Sequence, residues 1–293
     1  MARTIILVLA LMSTLCQEII TSEKSLSNED GFAPDISTME PRTTLKTLDS
    51  EYEDDDTTYD LAESRYARSD GGADISIKYY PYVAALYDYD GEYMCVGTVL
   101  TARLLLTADH CVYPNATYSV RINSSDIYDR GDKYWVKSTI RYPKASVDGD
   151  VEPHDIAMIV LKKRIQNART VKLIEPHMKV PEKSIVRAVG WGRSRAGNPR
   201  ILQHVNLEVT PVYKCQEDYY GDTWICTESK RSDTCQGDSG GPILYKYKNS
   251  LYQVGVVSHS TEVRCATGQP SANSFVKRYL EWINSYTKNP KYQ

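Results

Sequence analysis

Residues 79 onward predict an all-β chain, sandwich or barrel, that closes on a single helix, and three observations carry that prediction. Apolar, aromatic and β-branched residues recur at the short period of strands. Turn signals divide them at spacings suited to a sandwich or barrel. Helical spacing emerges only near the C-terminal end. At 293 residues and 41% hydrophobic composition, the chain can hold one large domain or two small ones and can bury a core.

Two segments of other kinds precede the strands. Residues 1–16, MARTIILVLALMSTLC, set Arg3 before a short apolar run that ends in small and polar residues. That is the pattern of a secretory signal cleaved near Cys16, and the run is too short to span a bilayer. Residues 17–68 hold fourteen Asp or Glu against five Lys or Arg, a balance of −9, whereas 69–293 balance at +5. With many Ser, Thr and Asp and little apolar periodicity, 17–68 is expected as a solvated, disordered leader, a mere acidic linker being the plainer alternative. Within EDDDTTYDLAESRYARSDGGADI, residues 53–75, the change of composition falls at Arg68.

The strands then follow in order. YYPYVAALYDYDGEYMCVGTVL, residues 79–100, predicts two strands joined around Asp90-Gly91. Single strands are predicted at 118–122, 134–142, 156–163, 185–190 and 202–212. ILYKYKNSLYQVGVV, residues 243–257, predicts two more around Lys248-Asn249-Ser250. In SFVKRYLEWINSYTKN, Val276, Leu280 and Ile283 fall near one face with Tyr279 beside them, which predicts a helix over about 275–288. The chain has no internal repeat, nucleotide loop or zinc-ligand spacing. No cofactor, metal or nucleic-acid partner is therefore expected, and no segment after the first is apolar enough to cross a membrane.

Secretion implies an oxidising compartment. Without Cys16 six cysteines remain, Cys95, Cys111, Cys215, Cys226, Cys235 and Cys265, so three disulfides are expected from fifteen possible pairings. Asn115-Ala116-Thr117 and Asn123-Ser124-Ser125 are glycosylation sequons.

The chemistry concentrates in SDTCQGDSGGP, residues 232–242. Ser239 sits among Gly237, Gly240 and Gly241, and glycine allows a backbone to turn sharply and offer N–H groups at close range. Such donors hold the oxyanion of acyl transfer. A serine hydroxyl needs a histidine base, and the histidine needs an acid to fix its tautomer. Upstream stand His110 in LLLTADHC and Asp155 in HDIAMIVLKK. The same serine fits G-x-S-x-G, the elbow of α/β-hydrolases, where acid and then histidine follow the serine. Here no Asp follows Ser239, and the one histidine that does, His259, precedes Glu262 and Glu281. Pro242 and a strand-like run, not a helix, come next.

In this order and these settings, TADHC, DIAMIVL and GDSGGP resemble the histidine, aspartate and serine motifs of the chymotrypsin and trypsin family of serine endopeptidases. The resemblance covers about 69–288, with GWG at 190–192 and the final helix as lesser matches. It implies two six-stranded antiparallel β-barrels packed together, roughly 69–180 and 181–275, with the active site between them. It also implies roles: Ser239 as nucleophile, His110 as base, Asp155 to orient it, the N–H groups of Gly237 and Ser239 as oxyanion hole, and Ser258 supporting the aspartate. The implied disulfides pair Cys95 with Cys111, Cys215 with Cys226, and Cys235 with Cys265. The implied partners are a protein or peptide substrate, an activating protease and a protein inhibitor, and the implied protein is a secreted monomer.

Members of that family are made as zymogens, and the register places the cut between Arg68 and Ser69, making 17–68 a propeptide and 69–293 the peptidase domain. The freed ammonium group is expected to pair with Asp238. The family usually begins Ile-Val-Gly-Gly, whereas this chain offers Ser69-Asp70-Gly71-Gly72. A serine there forfeits burial worth roughly 1.5–3 kcal/mol, so the cleaved enzyme is expected to stay partly zymogen-like. Asp233 occupies the place of the acid that selects Arg or Lys, while His259 stands where a tryptophan is usual and Ser260 and Ser271 where glycines are usual. A narrowed pocket with Arg/Lys preference is the expectation. Asp109, beside His110, is expected as an exposed residue, with an effect on the histidine as the alternative. Asp126, Asp129 and Asp132 are expected to form a solvated loop, with calcium as the alternative. The rival to a working peptidase is a weakly active or non-catalytic homologue that binds a protein partner.

Overall fold

The computed structural model describes residues 73–112, 116–128, 131–143, 154–193, 200–215, 221–229, 233–260 and 269–293. The first barrel comprises β2 (Val83–Tyr87), β3 (Tyr93–Val99), β4 (Leu104–Thr107), β5 (Ser119–Ile122), β6 (Asp132–Arg141) and β7 (Ala157–Leu161). It closes in the order β2-β3-β4-β7-β6-β5, every pairing antiparallel. The second comprises β8 (Ile185–Gly190), β9 (Gln203–Thr210), β10 (Trp224–Glu228), β11 (Pro242–Tyr247), β12 (Ser250–Ser260) and β13 (Ser271–Phe275). It runs β9-β10-β13-β12-β11-β8, and β8 pairs back with β9 to close the ring. Two residues near the start, β1 (Ala73–Asp74), add to the outside of β9.

Apolar runs became strands wherever both faces could be buried. Every residue of β2, β4 and β7 is buried, while β6 buries none and exposes residues in its first seven. Tyr80, Val83, Ala85, Val96, Trp191 and Leu244, drawn from both halves of the chain, form one buried cluster along the seam. Polar groups also cross that seam: Thr98 Oγ1 donates to Gln253 Oε1 at 2.8 Å, and both residues are fully buried.

The C-terminal segment turns through a short 3-10 stretch into helix α1 (Leu280–Thr287). Val276, Tyr279, Leu280 and Ile283 are all buried, as their spacing predicts. Tyr142, just past β6, meets the rings of Tyr279 and Trp282 edge-on at 5.0 and 5.3 Å, which anchors the helix on the first barrel. Disulfides join Cys95 to Cys111 and Cys215 to Cys226, as expected. Cys235 is disulfide-bonded, and Cys265, its expected partner, lies outside the described residues. No described helix is long and apolar enough to cross a membrane.

Candidate active site

Strand register sets the first half of the site. Thr107, the last residue of β4, pairs with Ala157, the first of β7. The turn after one strand and the residues before the other therefore emerge side by side, carrying His110 and Asp155. The Cys95–Cys111 bond ties this turn to β3, and the N–H of Val112 closes it on Asp109 O at 3.0 Å. Asp155 then meets His110 twice: Oδ1 accepts from the backbone N–H of His110 at 3.0 Å, and Oδ2 lies 2.8 Å from Nδ1. From β12 of the other barrel, Ser258 Oγ donates to the same Oδ2 at 2.5 Å. Ser274 Oγ, on β13, holds the backbone carbonyl of Asp155 at 2.7 Å.

Electrostatics follow this geometry. Burial alone would press the His110 pKa down, but the hydrogen bond and charge of Asp155, with a further contribution from Asp109, leave it above the ordinary 6.5. Burial alone would raise Asp155, and the hydrogen bonds and charge of His110 together with Ser258 hold it below the ordinary 3.8 instead. With Nδ1 committed to Asp155, the neutral imidazole presents Nε2 as the proton acceptor.

The second half is the turn that carries Ser239. Asp238 N–H closes on Cys235 O at 2.8 Å and Gly241 N–H on Asp238 O at 2.9 Å. The turn is pinned to both barrels, because Val96 N–H donates to Ser239 O and Gly240 N–H to Val257 O, each at 2.8 Å. Gly240 has φ +79°, and a Cβ there would stand 2.1 Å from Thr107 Oγ1 and 2.3 Å from Val96 O, so both space and backbone demand glycine. Tyr93 Oη donates to the Gly237 carbonyl at 2.5 Å and lines a cleft of about 780 Å³ with Trp191, Arg193, Gln236 and Gly237.

Asp238 points away from Ser239 toward GWG. Its carboxylate accepts Gly192 N–H at 2.7 Å and Cys235 N–H at 2.9 Å, and a Cβ on Gly192 would lie 2.1 Å from Oδ2. Burial pushes its pKa up to about 6, against the pull of those two N–H groups. Asp233, at the foot of the expected pocket, accepts Thr234 N–H at 2.8 Å and the hydroxyl of the fully buried Ser271 at 2.7 Å. Ser260 pairs with Ser271 in the backbone register.

Asp109 is not an exposed residue. It is buried, and its carboxylate takes three hydrogen bonds from Arg141 at 2.6–3.1 Å. The partner lies on β6, and nothing local in the sequence marks it. Tyr93 was missed for the same reason. Asp126 is held by Arg200 at 2.5 Å and Asp132 by the Asn123 amide at 2.7 Å, while Asp129 lies outside the described residues. Asn123 is exposed; Asn115, Arg68 and Ser69 lie outside the described residues. Cys95, His110 and Cys111 bring candidate ligand atoms within 4.8 Å of one another, but the two sulfurs are bonded to each other.

Paired closed barrels and a histidine–carboxylate pair beside a glycine-bound serine turn define a serine endopeptidase, a hydrolase of peptide bonds. The family profile named Trypsin matches residues 69–283, and the chain belongs to that family. It is 32% identical over 240 residues to a vitellin-degrading protease of Bombyx mori, covering 75% of this chain and 85% of that one. Spermosin of Halocynthia roretzi is 32% identical over 247 residues, covering 75% and 62%. Trypsin delta of Drosophila erecta is 30% identical over 198 residues, covering 64% and 76%.

Proposed function

We propose that the chain is a secreted endopeptidase that hydrolyses peptide bonds through Ser239, His110 and Asp155 and is made as a zymogen cut after Arg68. Ser239 Oγ attacks the scissile carbonyl while His110 Nε2 takes its proton. The tetrahedral oxyanion is held by the N–H groups of Gly237 and Ser239. His110 then returns the proton to the leaving amine, and water repeats the sequence on the acyl-enzyme. Asp155 keeps the imidazole oriented and stabilises its charged form. The observation that carries this reading is the 2.8 Å contact of His110 Nδ1 with an Asp155 carboxylate that Ser258 also holds.

The zymogen reading draws support from the family match, which begins at residue 69, one past Arg68. Residues 1–16 serve as signal and 17–68 as propeptide, Asn115 and Asn123 carry glycans, and the freed Ser69 ammonium pairs with Asp238. A buried carboxylate held up near 6 is a site that a cation would stabilise. Asp233 gives the pocket a preference for Arg or Lys, tempered by Ser271.

The test is labelling with a fluorophosphonate probe, on the precursor and on Arg68-cleaved protein, with Ser239→Ala as control. Labelling that appears only after cleavage and stops short of full occupancy is the expected result. Partial labelling after cleavage matches a terminus that inserts poorly. Absent labelling in both forms sinks the peptidase mechanism and favours a homologue that acts by binding a protein partner.

A further inference from the structure

The strand β12 slips its register between Val257 and His259: Val257 pairs with Asn273 and His259 already with Ala272. In a regular strand neighbouring side chains point to opposite faces, whereas a bulge re-aims them. Here the slip brings two adjacent side chains together, with Ser258 Oγ 3.2 Å from His259 Nδ1. Ser258 has one proton, and its shorter contact, 2.5 Å, is to a carboxylate oxygen that can only accept. That proton belongs to Asp155. Toward His259 the hydroxyl is left with its lone pairs, so the proton in the 3.2 Å contact must come from Nδ1.

We propose that His259 is a positioning residue of the reacting centre, donating its Nδ1 proton to Ser258 so that the serine's single proton stays committed to Asp155. The proposal rests on the catalytic reading of His110 and Asp155 above. A protonated Nδ1 has no lone pair with which to capture the Ser258 hydroxyl, so the rotor has one partner. The hydrogen bonds then run in one sense, from His259 through Ser258 to Asp155 Oδ2, and meet there the bond arriving from His110 Nδ1. Bonds in such a chain polarise one another. The half-buried imidazole is held in turn by Trp224, whose ring stands edge-on to it at 5.2 Å. Burial also keeps the His259 pKa below the ordinary 6.5, against the opposing charge of Asp155, so the ring is neutral at pH 7 and carries its one proton where the geometry requires it.

The chain has five histidines, few enough for nitrogen-15 histidine NMR to assign each tautomer, with Ser239→Ala protein used to prevent self-digestion. His259 is expected as the Nδ1–H tautomer, and Ser258→Ala should release it toward Nε2–H. An Nε2–H tautomer with Ser258 in place overturns the proposal whatever the activity. In Arg68-cleaved enzyme, His259→Phe should lower kcat about threefold to tenfold, the size of one neutral hydrogen bond. His259→Asn, whose Nδ2 reaches the place of Nδ1, should recover most of that loss. Equal losses in Phe and Asn, or none in either, also overturn it. A wild type that never labels, yet shows Nδ1–H at His259, sinks the peptidase mechanism and leaves the hydrogen-bond chain standing.

Discussion

Arg141 neutralises a second carboxylate, Asp109, one residue from His110, the proposed base. Asp155 and Asp109 act on the His110 ring through their charge, and His259 on β12 interacts with it electrostatically. Because the histidine must be neutral to accept a proton, kcat/KM should rise through an acid limb above pH 6.5. Replacing Arg141 with Met leaves Asp109 uncompensated, which favours the imidazolium, so the limb should move to higher pH by about half a unit to one unit. Asp109→Asn should move it the other way. A pH profile that stays put in both variants would show that the pair serves stability alone. Arg141→Met should also cost about 1–3 kcal/mol in urea unfolding, the cost of leaving the buried Asp109 carboxylate without its half-buried partner.

At the scale of elements, turns carry the site and strands aim it. Gly240→Ala should abolish probe labelling, since its Cβ would collide with Thr107 Oγ1 and Val96 O and the turn would have to leave φ +79°. Retained labelling would show that the turn can shift without misplacing Ser239. On β13, Ser271→Gly removes one hydrogen bond from Asp233 and should raise kcat/KM for Lys or Arg substrates about tenfold, as expected for a bond to a charged group. A lower value would mean that Ser271 holds Asp233 in its working position. These elements differed in how far they were legible beforehand. The hairpins showed themselves through alternation around Asp90-Gly91 and Lys248-Asn249-Ser250, and the candidate residues His110, Asp155 and Ser239 through short motifs whose glycines and cysteines have local causes. β13 did not show itself, because Ser271-Ala272-Asn273-Ser274 reads as polar surface. It is buried since Asn273 donates to Ile225 O and Thr227 Oγ1 on the neighbouring strand and Ser274 to Asp155 O, partners no local window contains. Arg141 on Asp109 and Tyr93 on Gly237 were hidden likewise, by separations of 32 and 144 residues.

For the whole molecule, the precursor and the cleaved enzyme should answer pH differently. In the structure Asp238 is an acid whose burial lifts its pKa from 3.8 to about 6, with two backbone N–H groups as partners. A raised carboxyl leaves the folded state at no disadvantage below pH 3.8, costs it stability as pH climbs to about 6, and keeps that cost above. His204 works in the opposite sense: burial lowers its pKa from 6.5 to about 4, so its contribution is present above pH 6.5 and lost as pH falls toward 4. The two overlap and partly cancel in the uncleaved form. His204 is common to both forms, so their difference isolates Asp238. If the Ser69 ammonium reaches Asp238 after cleavage, the carboxylate becomes ionised at little cost and its penalty disappears. The Tm of cleaved Ser239→Ala protein should therefore gain on that of the uncleaved protein as pH rises from about 4 to 7, and Asp238→Asn should flatten the difference. Parallel Tm curves would mean that Ser69 does not insert, so that any shortfall in labelling after cleavage would lie in activation and not in the proposed triad.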